Sequence, residues 1–222
     1  MIHHLSGPAG TLEALVDDPG SLCTTASPQN AELSGEAPEA KPPAAAVVLA
    51  HPHPLYGGSM HTKVVFQAAK AFCRLGCAVL RFNFRGVGVS DGTFAEGVGE
   101  LDDFRAGLDF MAARYPGVPL WAAGVSFGSW VAMTAGAQDD RVTTLTGIAL
   151  PSSLFDFSAV RDSTKPKYFI HGERDEICPL RAVWEFYGHA AEPKELVVID
   201  GADHLFDGHV SQVADAIADL LG

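Results

Sequence analysis

From Ala44 onward, apolar runs of strand length alternate with amphipathic helical patterns, and that alternation is the signature of an α/β protein. The runs are AAAVVLA (44–50), CAVLRFNF (77–84), PLWAAGV (119–125), LTGIAL (145–150), PKYFIHG (166–172) and ELVVID (195–200). Continuous apolar character of this kind fits strands buried on both faces, as in a mostly parallel central sheet. The stretches between them predict helices over 61–74, 97–114, 127–137, 180–188 and 209–221, enough to cover both faces. Ahead of this pattern, residues 2–16 hold two short apolar stretches around Gly7, Pro8 and Gly10, which predicts a β-hairpin. Residues 17–43 shift to Pro, Ser, Ala, Glu and Thr with little periodic hydrophobicity, and an irregular loop is expected there. With 222 residues, 47% of them apolar, the chain can fill one large core, so a single domain over 1–222 is expected.

The charge balance narrows the partners. Fifteen Lys and Arg are scattered among twenty-seven Asp and Glu, a formal net charge of -12, so no basic stripe is available to neutralise phosphates. Nucleic acid is therefore not an expected partner. The start of the chain, MIHHLSGPAG, shows neither a cationic region nor an apolar signal core, and no apolar run approaches the ~18 residues that a membrane span needs. A protein of the cytoplasm, with no membrane partner, is expected. Cysteines 23, 73, 77 and 178 are too few and too unevenly placed for a disulfide framework, so they read as reduced thiols in apolar sites.

Two segments carry a G-x-S-x-G pattern, GVSDG (88–92) and GVSFG (124–128), and in a chain with 23 glycines the pattern alone decides nothing. A nucleophilic serine needs a sharp turn from a strand into a helix, which exposes its Oγ and aims the next backbone N–H at the developing oxyanion. GVSFG follows PLWAAGV and leads into SWVAMTAGAQ, a helix-compatible stretch; GVSDG runs on into GTFAEGVGE, whose glycines favour a loop. Ser126 is the expected nucleophile, Phe127 N–H the first oxyanion donor, and Ser90 a turn residue.

The serine needs a base, and the base needs a carboxylate to fix its tautomer. His204, in GADHLF, sits between the buried strand ELVVID and the last helix, at the carboxyl edge where sites of open α/β folds gather. Asp156, Asp175, Asp200 and Asp203 are the acid candidates near that edge. Asp175 follows PKYFIHG through a short loop and gives the chain order Ser, Asp, His known for this kind of site. Asp156 is the runner-up, and Asp203 reads as a loop-capping carboxylate.

Taken together these motifs resemble the α/β-hydrolase family over nearly all of residues 44–222. HGERDEICP is similar to that family's H-G-x-x-D-x-x-V-P acid loop and GADHLF to its G-x-x-H-x-F, with Cys178 where an aliphatic residue is usual. LAHPHPLYGGSMHTKVV resembles a compact, uncapped bacterial subgroup with an H-P-H-P segment. The resemblance implies an α/β-hydrolase fold and places the second oxyanion donor in the loop after the first central strand. Pro52 and Pro54 have no N–H to give, so that donor is His53, Leu55 or Tyr56. His51, His53 and His61 also invite a metal reading, but no acidic or cysteine residue nearby completes a ligand set, and neither a metal nor a cofactor is expected. Arg85, in the RFNFRGVGVSDG turn, is expected to hold loops by hydrogen bonds to carbonyls; Asp102 and Asp103 begin a helix, where acidic residues suit the positive end.

Many relatives insert a cap between the strands that here end near Leu150 and begin near Pro166. Only about 15 residues intervene, too few for a cap domain, so an open site is expected, with Tyr56, Phe155 and Phe157 as candidate pocket walls. The expected activity is cleavage of small acyl esters by a Ser126, His204, Asp175 triad. The rivals are a thioesterase or small peptidase with the same triad, and a non-catalytic binding module on this fold.

Overall fold

A computed structural model of the protein describes residues 2–19 and 41–222. Eight strands form one sheet: β1 (Ile2–Gly7), β2 (Gly10–Asp17), β3 (Ala46–Ala50), β4 (Ala78–Phe82), β5 (Leu120–Val125), β6 (Val142–Ile148), β7 (Lys167–Gly172) and β8 (Lys194–Ile199). Six helices accompany them: α1 (Lys63–Arg74), α2 (Val98–Arg114), α3 (Phe127–Gln138), α4 (Ser158–Asp162), α5 (Leu180–His189) and α6 (Val210–Leu221). The strand order is β1-β2-β4-β3-β5-β6-β7-β8. β1, β2 and β4 pair antiparallel and every later pairing is parallel, so the expected hairpin and the mostly parallel sheet are both present.

Side chains alternate across the sheet and divide the core into two layers. Along β3, Val47 and Leu49 face one side with Val65 and Phe72 of α1 and Val213 and Ile217 of α6. Ala46, Val48 and Ala50 face the other with Phe104 and Leu108 of α2, Val131 of α3 and Val183 of α5. Both faces are thus covered, and each fully buried Phe or Leu contributes roughly 1.5–3 kcal/mol. Because β3, β5, β7 and β8 run parallel, their carboxyl ends open along one edge, where the loops carrying residues 51–60, 126, 173–179 and 200–209 meet.

The irregular loop expected over 17–43 begins later than the composition suggests. Asp17 is the last residue of β2, held because its Oδ2 accepts a 2.6 Å hydrogen bond from buried Arg81 Nε. Most of that stretch, and Cys23 with it, lies outside the described residues. Cys73, Cys77 and Cys178 are buried, and Cys77 and Cys178 are free thiols. Between β6 and β7 the only helix is α4, five residues long, so there is no cap. No helix among the described residues is long and apolar enough to cross a membrane.

Candidate active site

Ser126 stands alone between β5 and α3, at φ 55° and ψ -123°. A non-glycine residue held at positive φ costs roughly 1–3 kcal/mol and persists only where its surroundings enforce it. Here its N–H donates to Ile148 O at 2.8 Å, and the flanking glycines leave no room for the turn to relax. A Cβ on Gly124 would collide with the backbone of Gly128, and one on Gly128 with the carbonyls of Ala50 and His51. That crowding is the physical reason for glycine on both sides of the serine.

Two further loops deliver a histidine and a carboxylate to the same point. Gly172, at the end of β7, lies so close to the carbonyls of Ala202 and Asp203 that a side chain there would separate the loops. Arg174 N–H then donates to Ala202 O at 2.9 Å, which ties the Asp175 loop to the His204 loop. Asp203 Oδ1 caps its own loop by accepting from the N–H groups of Leu205 and Asp207, as expected of it.

His204 Nδ1 lies 2.7 Å from Asp175 Oδ2, and His204 Nε2 lies 2.7 Å from Ser126 Oγ. An ionised carboxylate only accepts, so Nδ1 carries the imidazole proton and Nε2 is left to accept from the serine hydroxyl. Asp175 Oδ1 accepts from Ile177 N–H at 2.9 Å and Cys178 N–H at 2.8 Å. Burial alone would push the Asp175 carboxyl up; its hydrogen bonds from His204 and Cys178 outweigh that and hold it below the usual carboxylate range. Ser126, His204 and Asp175 are 9%, 8% and 4% exposed, so the chain of contacts is screened from water except at its serine end.

The alternatives from the sequence are engaged elsewhere. Ser90 Oγ donates to Asn83 O and accepts from Glu13 N–H, which fixes the β2 and β4 ends. Asp156 is exposed and binds the N–H and hydroxyl of Ser158; Asp200 is exposed at the end of β8.

Ser126 and His204 open onto a cavity of about 480 Å³. Its walls include Pro52, His53, Tyr56, Phe127, Pro151, Leu154, Phe155, Ile177 and Leu205, and no Asp, Glu, Lys or Arg is among them. Tyr56 and Phe155 therefore stand where expected. Phe157 does not: as the N-cap of α4, at φ -103° and ψ 19° after the turn over 152–154, it is 4% exposed and packs in the core against Phe186, 5.4 Å between ring centroids.

In the H-P-H-P loop, Leu55 N–H donates to His53 Nδ1 and Tyr56 N–H to His53 O, so the short 3-10 turn over Pro54–Tyr56 consumes both. The N–H groups of His53 and Phe127 have no acceptor among the described residues. His51 has a role that the sequence did not reveal. Its Nδ1–H donates to Pro52 O at 2.6 Å and its Nε2 accepts from Phe84 N–H at 3.1 Å, so both nitrogens are committed to joining the loops after β3 and β4. His61 is exposed, and among the described residues no three His, Cys, Asp or Glu side chains converge on a metal-sized point. Arg85 also differs from expectation: it forks onto the carboxylate of Asp103 at 3.0 and 2.7 Å rather than onto carbonyls. Asn83 accepts from Met60 N–H and donates to Glu13, a pairing that an Asp at this position could not make.

Burial pushes the His51 imidazole down to about 4. The unfolded chain takes up a proton at this position below about pH 6.5, whereas the folded protein resists it until about pH 4. The stabilisation is complete above pH 6.5 and is lost as the pH falls through that window, by about 3 kcal/mol in all. Urea midpoints measured from pH 7 to pH 4 should therefore decline, and the decline should be shallower in His51→Gln.

A serine held in this way at the carboxyl edge of an open, uncapped sheet defines the class: the protein is an α/β-hydrolase of the serine type. Residues 41–162 match the family described as serine aminopeptidase, S33, and the chain belongs to that family. It is 34% identical over 199 residues to the uncharacterized protein RP471 of Rickettsia prowazekii, covering 85% of this chain and 84% of that one. Among solved structures it resembles an alpha-beta serine hydrolase homologue from Coxiella burnetii, with 30% identity, a TM-score of 0.87, and 100% and 97% of the two chains covered. It also resembles XC6422 of Xanthomonas campestris, described as an a/b serine hydrolase without lid, with 34% identity, a TM-score of 0.83, and coverage of 99% and 92%.

Proposed function

We propose that the protein is a carboxylesterase that cleaves small, uncharged acyl esters through an acyl-enzyme on Ser126. The observation that carries this reading is the Ser126, His204, Asp175 hydrogen-bond chain at the floor of an apolar cavity with no charged wall. In the first step His204 Nε2 takes the hydroxyl proton as Ser126 Oγ attacks the ester carbonyl. Asp175 stabilises the imidazolium through Nδ1. The negative oxygen of the tetrahedral intermediate is received by the N–H groups of Phe127 and His53, each donor of this kind being worth about 10²–10³ in rate. His204 then protonates the departing alcohol, and a water activated by the same nitrogen releases the acid. Every step is a proton or acyl transfer that these residues supply, with no cofactor needed.

The walls bear on one rival of the ester reading. An aminoacyl substrate brings an ammonium group that needs a carboxylate at the cavity, and none lines it among the described residues. A thioester would follow the same chemical steps. p-Nitrophenyl acetate, an acyl thioester and an aminoacyl anilide assayed side by side should give the highest kcat/KM for the ester; dominance of the thioester or the anilide would overturn the proposal. Failure of the folded protein to react with a fluorophosphonate would favour a binding module instead. The same reading has the chain acting as one domain in the cytoplasm on a small-molecule ester, with neither nucleic acid nor membrane as a partner.

A further inference from the structure

His171 is the last residue but one of β7 and is completely buried, yet the proposed chemistry has no use for it. Its Nε2 lies 2.8 Å from Cys178 O, and since a carbonyl only accepts, that nitrogen carries the proton. The same Nε2 lies 3.3 Å from Asp175 Oδ2, the oxygen that holds His204. The other nitrogen, Nδ1, is buried with no hydrogen-bond partner among the described residues. An orphaned buried acceptor is costly, and an apolar side chain at this position would avoid the cost. Among the described residues, Nε2–H is the ring's one hydrogen-bonded group.

We infer that His171 is a positioning residue for the proposed triad, a reading that rests on the function proposed above: it clamps the loop that grips Asp175 and sets its ring against the carboxylate oxygen facing His204. The clamp works through one residue. Cys178 gives its carbonyl to His171 and its N–H to Asp175 Oδ1, so fixing the first fixes the second. Oδ1 is then held by Ile177 and Cys178, while Oδ2 is left with His204 on one side and the His171 ring on the other. The carboxylate cannot rotate without losing a donor at each oxygen.

A neutral ring suits this task better than a charged group. A cation at 3.3 Å would compete with the imidazolium that forms on His204 for the same carboxylate. Burial pushes the His171 imidazole below its ordinary value, more than the Cys178 carbonyl and Asp175 raise it, so the ring holds the loop without adding a charge beside Asp175.

The test is a double-mutant cycle on folded variants, with kcat and KM for a p-nitrophenyl ester as the readout. His171→Leu should lower kcat about tenfold with KM within about twofold. His171→Gln, which restores an N–H donor for Cys178 O, should recover most of that loss. In an Asp175→Ala background, His171→Leu should change kcat no further, because the group it acts through is gone. Full activity of His171→Leu, an equal loss in His171→Gln, or an undiminished penalty in the Asp175→Ala background would each overturn the inference. A fully active Asp175→Ala single variant would instead bring down the triad reading itself, so the two failures are distinguishable.

Discussion

Ser126→Ala is expected to lower ester turnover by about 10⁴–10⁶-fold and to abolish labelling by a fluorophosphonate, with little change in stability. The hydroxyl is bonded only to His204 Nε2, so its loss leaves the strained turn, the oxyanion donors and the cavity walls in place. What vanishes is the atom that forms the acyl bond. The control is Ser90→Ala, the serine of the other G-x-S-x-G match. Ser90 Oγ joins Glu13 N–H to Asn83 O, so its removal should cost about 1–2 kcal/mol in a urea titration and leave labelling intact. Loss of labelling in Ser90→Ala with retention in Ser126→Ala would reverse the assignment.

Asp175→Asn is expected to lower kcat by about 10⁴-fold while KM changes little. The amide is the same size as the carboxylate, and its oxygen can keep the N–H groups of Ile177 and Cys178. That arrangement turns the amide NH₂ toward His204 Nδ1. Two donors then face each other, and the imidazole relieves the clash by moving its proton to Nε2, the nitrogen that must accept from Ser126. The loss therefore comes from a wrong tautomer more than from a missing contact. A fall of less than tenfold would show that the carboxylate is not needed to orient the base.

The parts of this molecule that were legible in the sequence are those set by local patterns. Strands buried on both faces write unbroken apolar runs, so β3, β5 and β7 were placed to within a residue or two. Ser126 was separable from Ser90 because a strand before and a helix after are properties of neighbouring residues. Details that depend on which atom meets which were hidden. Among His53, Leu55 and Tyr56 as candidates for the second oxyanion donor, the 3-10 turn that occupies the N–H groups of Leu55 and Tyr56 is a contact within the loop that no sequence pattern records. Phe155 and Phe157 are equivalent in composition, yet one lines the cavity and the other is core. The partner of His51 is Phe84, 33 residues away, and that of Arg85 is Asp103. No periodicity records such pairings. At the start of the loop expected over about 17–43, Asp17 still belongs to β2, because a buried ion pair with Arg81 holds it there, and that partner is 64 residues away.

The missing cap shapes the fate of the intermediate as well as access to the site. With only α4 between β6 and β7, no cap domain inserted there covers Ser126, and on the proposed route the acyl-enzyme would sit in an open cleft. The departing alcohol would then leave, and water would enter, through the same open cavity rather than past a cap domain. A second alcohol arriving in the open cleft must compete with that water for His204. On the proposed route, this architecture favours hydrolysis of the acyl-enzyme over transfer of its acyl group to a second alcohol.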